Sequence, residues 1–90
     1  MQATGMDGKT LKLLQQSGVV KNITVVADHS TMYVHYALKN GETGVAQTTQ
    51  GKIKQWATID ATVKWLKTLG FGSAKIDFDK WKDKQKQIKV

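Results

Sequence analysis

The apolar positions of this chain change period three times, from helical to alternating, back to helical, and to alternating again. Residues 9–16 (KTLKLLQQ), followed by Ser17 and Gly18, space Leu11 and Leu14 for the inward side of a two-turn helix. From Val19 onward β-branched residues alternate with polar ones in VVKNITVVA, TMYVHYAL and TGVAQTT, which predicts three consecutive strands. Asn40-Gly41 lies between the second and third of these, and both residues tolerate the positive φ of a type I′ hairpin turn. A turn centred there sets Leu38 opposite Thr43, Tyr36 opposite Val45 and Val34 opposite Gln47. Met32, Val34, Tyr36, Leu38 and Val45 then share the core face. Tyr33, His35, Ala37, Gly44, Ala46 and Thr48 share the other. An even loop around His29-Ser30 brings Ile23, Val25 and Ala27 to the core face as well, and leaves Val20, Asn22, Thr24 and Val26 on the open one.

After a turn at Gln50-Gly51, KIKQW reads as a short fourth strand that ends with Trp56 on the buried side. Helical spacing returns in Ile59, Thr62, Val63, Leu66 and Leu69, with Trp65 flanking the stripe and Lys64 and Lys67 pointing away. Thr58 is the expected N-cap, Asp60 suits the first turn, and Gly70 suits the left-handed position past the end, with Phe71 closing back on Leu66. AKIDF then alternates like an edge strand. The pattern predicts an α+β fold: an antiparallel three- to four-stranded meander packed on one main helix, with a short N-terminal helix and a basic C-terminal tail. Residues 1–8 read as a flexible N-terminus in which Met6 fits an internal start, residues 9–79 as a single α+β domain, and residues 80–90 as the tail.

Ninety residues suit one small domain, and three Trp, two Tyr and two Phe supply large anchors for its core. With no Cys, disulfides, thiolate metal sites and a cysteine nucleophile are excluded. His29 and His35 are the only imidazoles, so no metal site and no cofactor are expected. No apolar run approaches the roughly 20 residues that cross a bilayer. The first ten residues hold no signal-peptide apolar region, and a cytoplasmic location with no membrane partner is the expectation. No nucleophile motif surrounds Ser17, Ser30 or Ser73, and Asp28-His29-Ser30 reads as a turn, so no catalysis is expected.

Charge narrows the partner. Fourteen basic residues, all Lys, stand against seven acidic ones, giving +7 at neutral pH. Such an excess favours anionic partners. Lys80, Lys82, Lys84 and Lys86 occupy every second position around Trp81, with Lys75 just upstream. On an extended chain those four ammonium groups would follow a phosphate backbone, and the released counterions would supply affinity. Lys52, Lys54, Lys64 and Lys67 form a second basic group around the main helix. Without Arg, the usual bidentate reader of guanine edges, backbone attraction should outweigh base readout. Tyr33, next to His35 on the open face, and Trp81 in the tail are candidate stacking or wedge residues for bases. The sequence therefore reads as a low-specificity DNA-binding protein using these lysine–phosphate contacts. The competing reading is a protein-interaction module or homodimer, formed through the open face or a strand edge, with no nucleic-acid ligand.

The stretch WATIDATVKWLKTLGF at residues 56–71, followed by KIDFDKW, resembles small accessory proteins encoded on bacterial plasmids and conjugative elements. The resemblance implies a bacterial mobile-element setting. The order of three strands then a helix is similar to the arm-type DNA-binding domains of tyrosine integrases, whose sheet enters the major groove. The order helix, three strands, helix is similar to double-stranded-RNA-binding domains, whose basic signature at the second helix is missing here.

Overall fold

In the computed structural model, which describes residues 5–81, the chain runs β1 (Gly5–Asp7), α1 (Gly8–Gln16), β2 (Val20–His29), β3 (Thr31–Leu38), β4 (Thr43–Gln47), α2 (Ile59–Thr68) and β5 (Lys75–Trp81). The class is α+β, and β2, β3 and β4 form the expected antiparallel meander. The sheet is wider than a meander. Its order is β1-β4-β3-β2-β5, and both outer strands run parallel to their neighbours, β1 to β4 and β5 to β2.

The β2–β3 hairpin keeps the even loop. Asp28 pairs with Thr31, and His29 takes the positive φ of 57° that a two-residue connection needs. Ile23, Val25 and Ala27 consequently lie opposite Tyr36, Val34 and Met32, and all six are buried. A register shift between Val20 and Asn22 pairs Val20 with Leu38, so Val20 packs partly buried against the core and not on the open face.

The β3–β4 hairpin departs from the expected register. Gly41 N–H donates to the Leu38 carbonyl at 3.0 Å and Leu38 N–H to the Glu42 carbonyl at 2.8 Å, which closes a three-residue loop, Lys39-Asn40-Gly41. Only Gly41, at φ 95°, is left-handed, and Asn40 is not. This is a type I turn followed by a glycine bulge, in which the Asn-Gly pair sits one place later than in a type I′ turn. The odd loop shifts the pairing by one residue: Tyr36 faces Gly44 and His35 faces Val45. Val45 therefore lies on the open face, while Gly44 and Ala46 are buried on the core face. Gly44 and Ala46 are the small residues of β4 on the face that Leu11 of α1 and Met6 of β1 help to cover.

KIKQW makes isolated bridges and no continuous strand. Ile53 pairs with Gln47 and Trp56 with Met32, and Trp56 reaches the core half-buried. Thr58 caps α2, its Oγ1 accepting the Ala61 N–H at 3.2 Å. Thr62, Leu66 and Leu69 are buried while Val63 stays exposed, so the buried stripe turns toward half-buried Trp65 and away from Val63. Gly70, at φ 97°, donates to the Lys67 carbonyl and Phe71 N–H to that of Leu66, the double closure of a Schellman motif.

Both helices cover the same face of the sheet, since Leu11 of α1 and Leu66 of α2 belong to one core cluster with β2 and β3. Gly8 lies against the Trp65 ring and Gln15 Nε2 donates to the Gly70 carbonyl at 3.4 Å, so the helices run side by side. At nine and ten residues they are equal partners, where one main helix was expected. Nor is the described N-terminus loose. Gly5–Asp7 pair with β4, Met6 packs on the core, and Asp7 caps α1 by accepting the Thr10 N–H at 3.0 Å. At the other end β5 carries Lys80 and Trp81 as strand residues, beyond the expected boundary at 79.

Candidate nucleic-acid interface

Strand alternation and helix period sort the lysines between two faces. On α1 the period that buries Leu11 exposes Lys9 and Lys12, and on α2 the period that buries Thr62 and Leu66 exposes Lys64 and Lys67. Lys54 joins them from the segment that leads into α2. Its Nζ lies 5.5 Å from the Trp56 ring centroid and 5.9 Å from that of Trp65, and the two rings are 4.9 Å apart and tilted by 50°. An ammonium over aromatic faces is held by roughly 0.5–1 kcal/mol at an accessible site. Lys54 is thus a positioned charge, where Lys64 and Lys67 are free to follow a ligand.

Gly8 makes this corner possible. A Cβ there would stand 2.9 Å from Cζ2 of Trp65, so only a residue without a side chain lets the start of α1 approach α2. That approach brings Lys9 beside Lys54 around a hollow of about 270 Å³, also lined by Asp7, Thr48, Thr49 and Trp65. The helix side carries one acidic group in α2, Asp60, and the Asp7 cap, whose carboxyl is held below its ordinary 3.8 by the Thr10 N–H. Lys52 is exposed in the preceding turn, its backbone N–H bound to Thr48 Oγ1.

On the open sheet face the charges around β5 are of both signs. Lys75 lies opposite Thr24, Asp77 opposite Val26 and Lys80 opposite Asp28. Tyr33 and His35, both half-buried, occupy the middle of that face beside Val26 and Thr24. Tyr33 and Lys75 therefore share a surface, but Lys54, Lys64 and Lys67 are not on it. Trp81 is half-buried and packs against the core, which removes it as a free wedge. Lys82, Lys84 and Lys86 lie outside the described residues. Lys9 and Lys12 belong with the helix-side lysines and were not among the sequence candidates. The signal for them was present, because the spacing that turns Leu11 and Leu14 inward turns both lysines outward.

Asp28 Oδ1 and His29 Nδ1 meet at 2.6 Å beside the two-residue turn, an exposed contact between chain neighbours. Among the described residues no three His, Cys, Asp or Glu side chains converge as metal ligands, and no helix is long and apolar enough to cross a membrane. No family model, curated protein or solved structure matches the chain.

Proposed function

We propose that the protein binds DNA through phosphate contacts from its helix side, with little sequence preference, in the cytoplasm of a bacterium that carries it on a mobile element. The observation that carries this reading is the separation of charge between faces: Lys9, Lys12, Lys54, Lys64 and Lys67 share the helix layer, whereas Lys75 and Lys80 are offset by Asp28 and Asp77 across the sheet. Lysine without arginine suits point-charge attraction to a backbone more than fork-like reading of base edges. The hollow beside Lys9 and Lys54 adds threonine hydroxyls and an indole edge to that surface.

Fluorescence anisotropy with single- and double-stranded oligonucleotides across a salt series tests the proposal. Affinity should fall by about 0.7 to 0.9 log units per log unit of salt for each phosphate neutralised. Replacing Lys9, Lys12, Lys64 and Lys67 by Gln should weaken binding and flatten the slope by roughly one unit for each phosphate that is no longer neutralised. Replacing Lys75 and Lys80 should do much less. A chain that binds neither kind of strand at low salt, or one indifferent to the helix-side substitutions, would end this assignment. Parallel replacement of Lys80, Lys82, Lys84 and Lys86 measures the share contributed by the C-terminal lysines. The competing reading, an interaction module with no nucleic-acid ligand, draws on a different feature, the outer edge of β5, which pairs with no strand among the described residues.

A further inference from the structure

β5 closes the sheet at one end, and among the described residues its outer edge faces no other strand. Six of its seven residues are exposed, including Ile76 at 49% and Phe78 at 70%. Between this strand and α2 runs a mainly apolar groove of about 210 Å³, lined by Val63, Leu66, Phe71, Ala74 and Ile76 with Lys67 at its side. An edge of this length with two exposed apolar side chains is a template for another strand.

We propose that the edge is filled by a second copy of this chain, the two β5 strands pairing antiparallel about a two-fold axis through Ile76. Self-complementarity selects both the occupant and the register. With Ile76 opposite its own copy, Lys75 stands opposite the partner's Asp77 and Ala74 opposite the partner's Phe78. The symmetry repeats each pair. Two ion pairs then form on the open-face side. On the helix side each Phe78 reaches the groove that Ala74 lines. Opposite-charge and apolar pairs directly across an antiparallel ladder are the stabilising kinds.

Neighbouring registers fail on the same criteria. Centring on Asp77 sets two carboxylates face to face, centring on Lys75 sets two ammonium groups face to face, and a one-residue slip sets Ile76 against Asp77. Registers centred beyond Phe78 run into Asp79, whose N–H is already bound to Asp77 Oδ1 at 3.1 Å. That bond occupies one Asp77 oxygen and leaves the other for Lys75 of the partner subunit.

An antiparallel two-fold of this kind stands normal to the sheet, so both helix layers lie on one side of a continuous ten-stranded sheet. The lysines of the two copies then line a single surface. The dimer does not rest on DNA binding, and it is measured without any ligand.

Sedimentation equilibrium of the full chain should give twice the 10.0 kDa of one chain. Phe78→Ser and Asp77→Lys should each return the mass to that of a single chain with an unchanged far-UV spectrum, because both side chains are exposed. Adding Lys75→Asp to Asp77→Lys exchanges the ion-pair partners and should restore the dimer. A wild-type chain that stays single at sub-millimolar concentration overturns the proposal, as does a dimer that survives both single substitutions. A folded double variant that remains single overturns the register.

Discussion

Replacing Tyr36 by Ala is expected to lower the free energy of unfolding by about 3–5 kcal/mol, as for other large buried aromatic side chains. Tyr36 is 2% exposed and sits in β3, the middle strand of five. It lies opposite Ile23 on one side and Gly44 on the other, and Gly44 has no side chain to refill the space. A domain of this size has roughly 5–15 kcal/mol in all. Urea denaturation followed by far-UV circular dichroism should therefore show much of the stability gone, with the melting temperature lower by about 12 °C or more. A loss below about 1 kcal/mol would mean that the ring is not part of the core.

Tyr36→Phe separates the hydroxyl from the ring. Burial raises the pKa of that hydroxyl from its ordinary 10.0, and the nearby Glu42 carboxylate adds to the rise. Below pH 10 the group is neutral in both states and its contribution is fully present. Above pH 10 the unfolded chain loses the proton first, so stability falls as pH rises toward the higher folded value. The wild type should lose stability in that alkaline range faster than Tyr36→Phe. Equal slopes for the two proteins would contradict the assigned environment.

Leu11→Ala should cost about 2–5 kcal/mol, whereas Leu13→Ala, two residues away on the same helix, should stay within roughly 0.5 kcal/mol. Leu11 is wholly inaccessible and is the one buried side chain of α1; Leu13 is 59% exposed. The pair tests whether α1 is docked as described, because helix propensity is the same for both substitutions and burial alone differs. Denaturation midpoints that move equally would place the helix on a different face.

What could be read from the chain was whatever depends on neighbours in sequence. The β2–β3 register follows from an even loop and from Ile23, Val25 and Ala27 on one parity, and it is observed. Both ends of α2 follow from Thr58 and Gly70. The β4 register was misread because Asn-Gly serves two turns, as the centre of type I′ or as the last two places of a type I turn with a bulge; one side-chain parity depends on which is used. Val45 and Ala46 offered no help, being apolar on both parities. The edge strand β5 was legible in the alternation of AKIDF, but its parallel pairing and the whole of β1 were out of reach for a different reason. Gly5–Asp7 is only three residues long, and its partner β4 lies about forty positions away, so no local pattern announces the pairing. At the candidate interface Lys64 and Lys67 were legible from helix period. The grouping of Lys9 with Lys54 was not, since it depends on Gly8 meeting Trp65.

The parallel pairing of both outer strands also fixes an order of assembly. Every pairing within the β2–β3–β4 meander spans a short turn, whereas β1 must find β4 from Gly5 to Val45 and β5 must find β2 from Lys75 back to Thr24. Closing such long loops costs chain entropy before any ladder bond repays it, which slows their formation relative to hairpins. The meander is therefore expected to condense first and the two flanking strands to dock last. Native-state amide exchange should rank protection in the same sequence, with β2 and β3 opening only on global unfolding and three-residue β1 opening most readily. The most exposed moment in the life of this chain is then the interval in which a finished three-stranded sheet still has both of its sides bare.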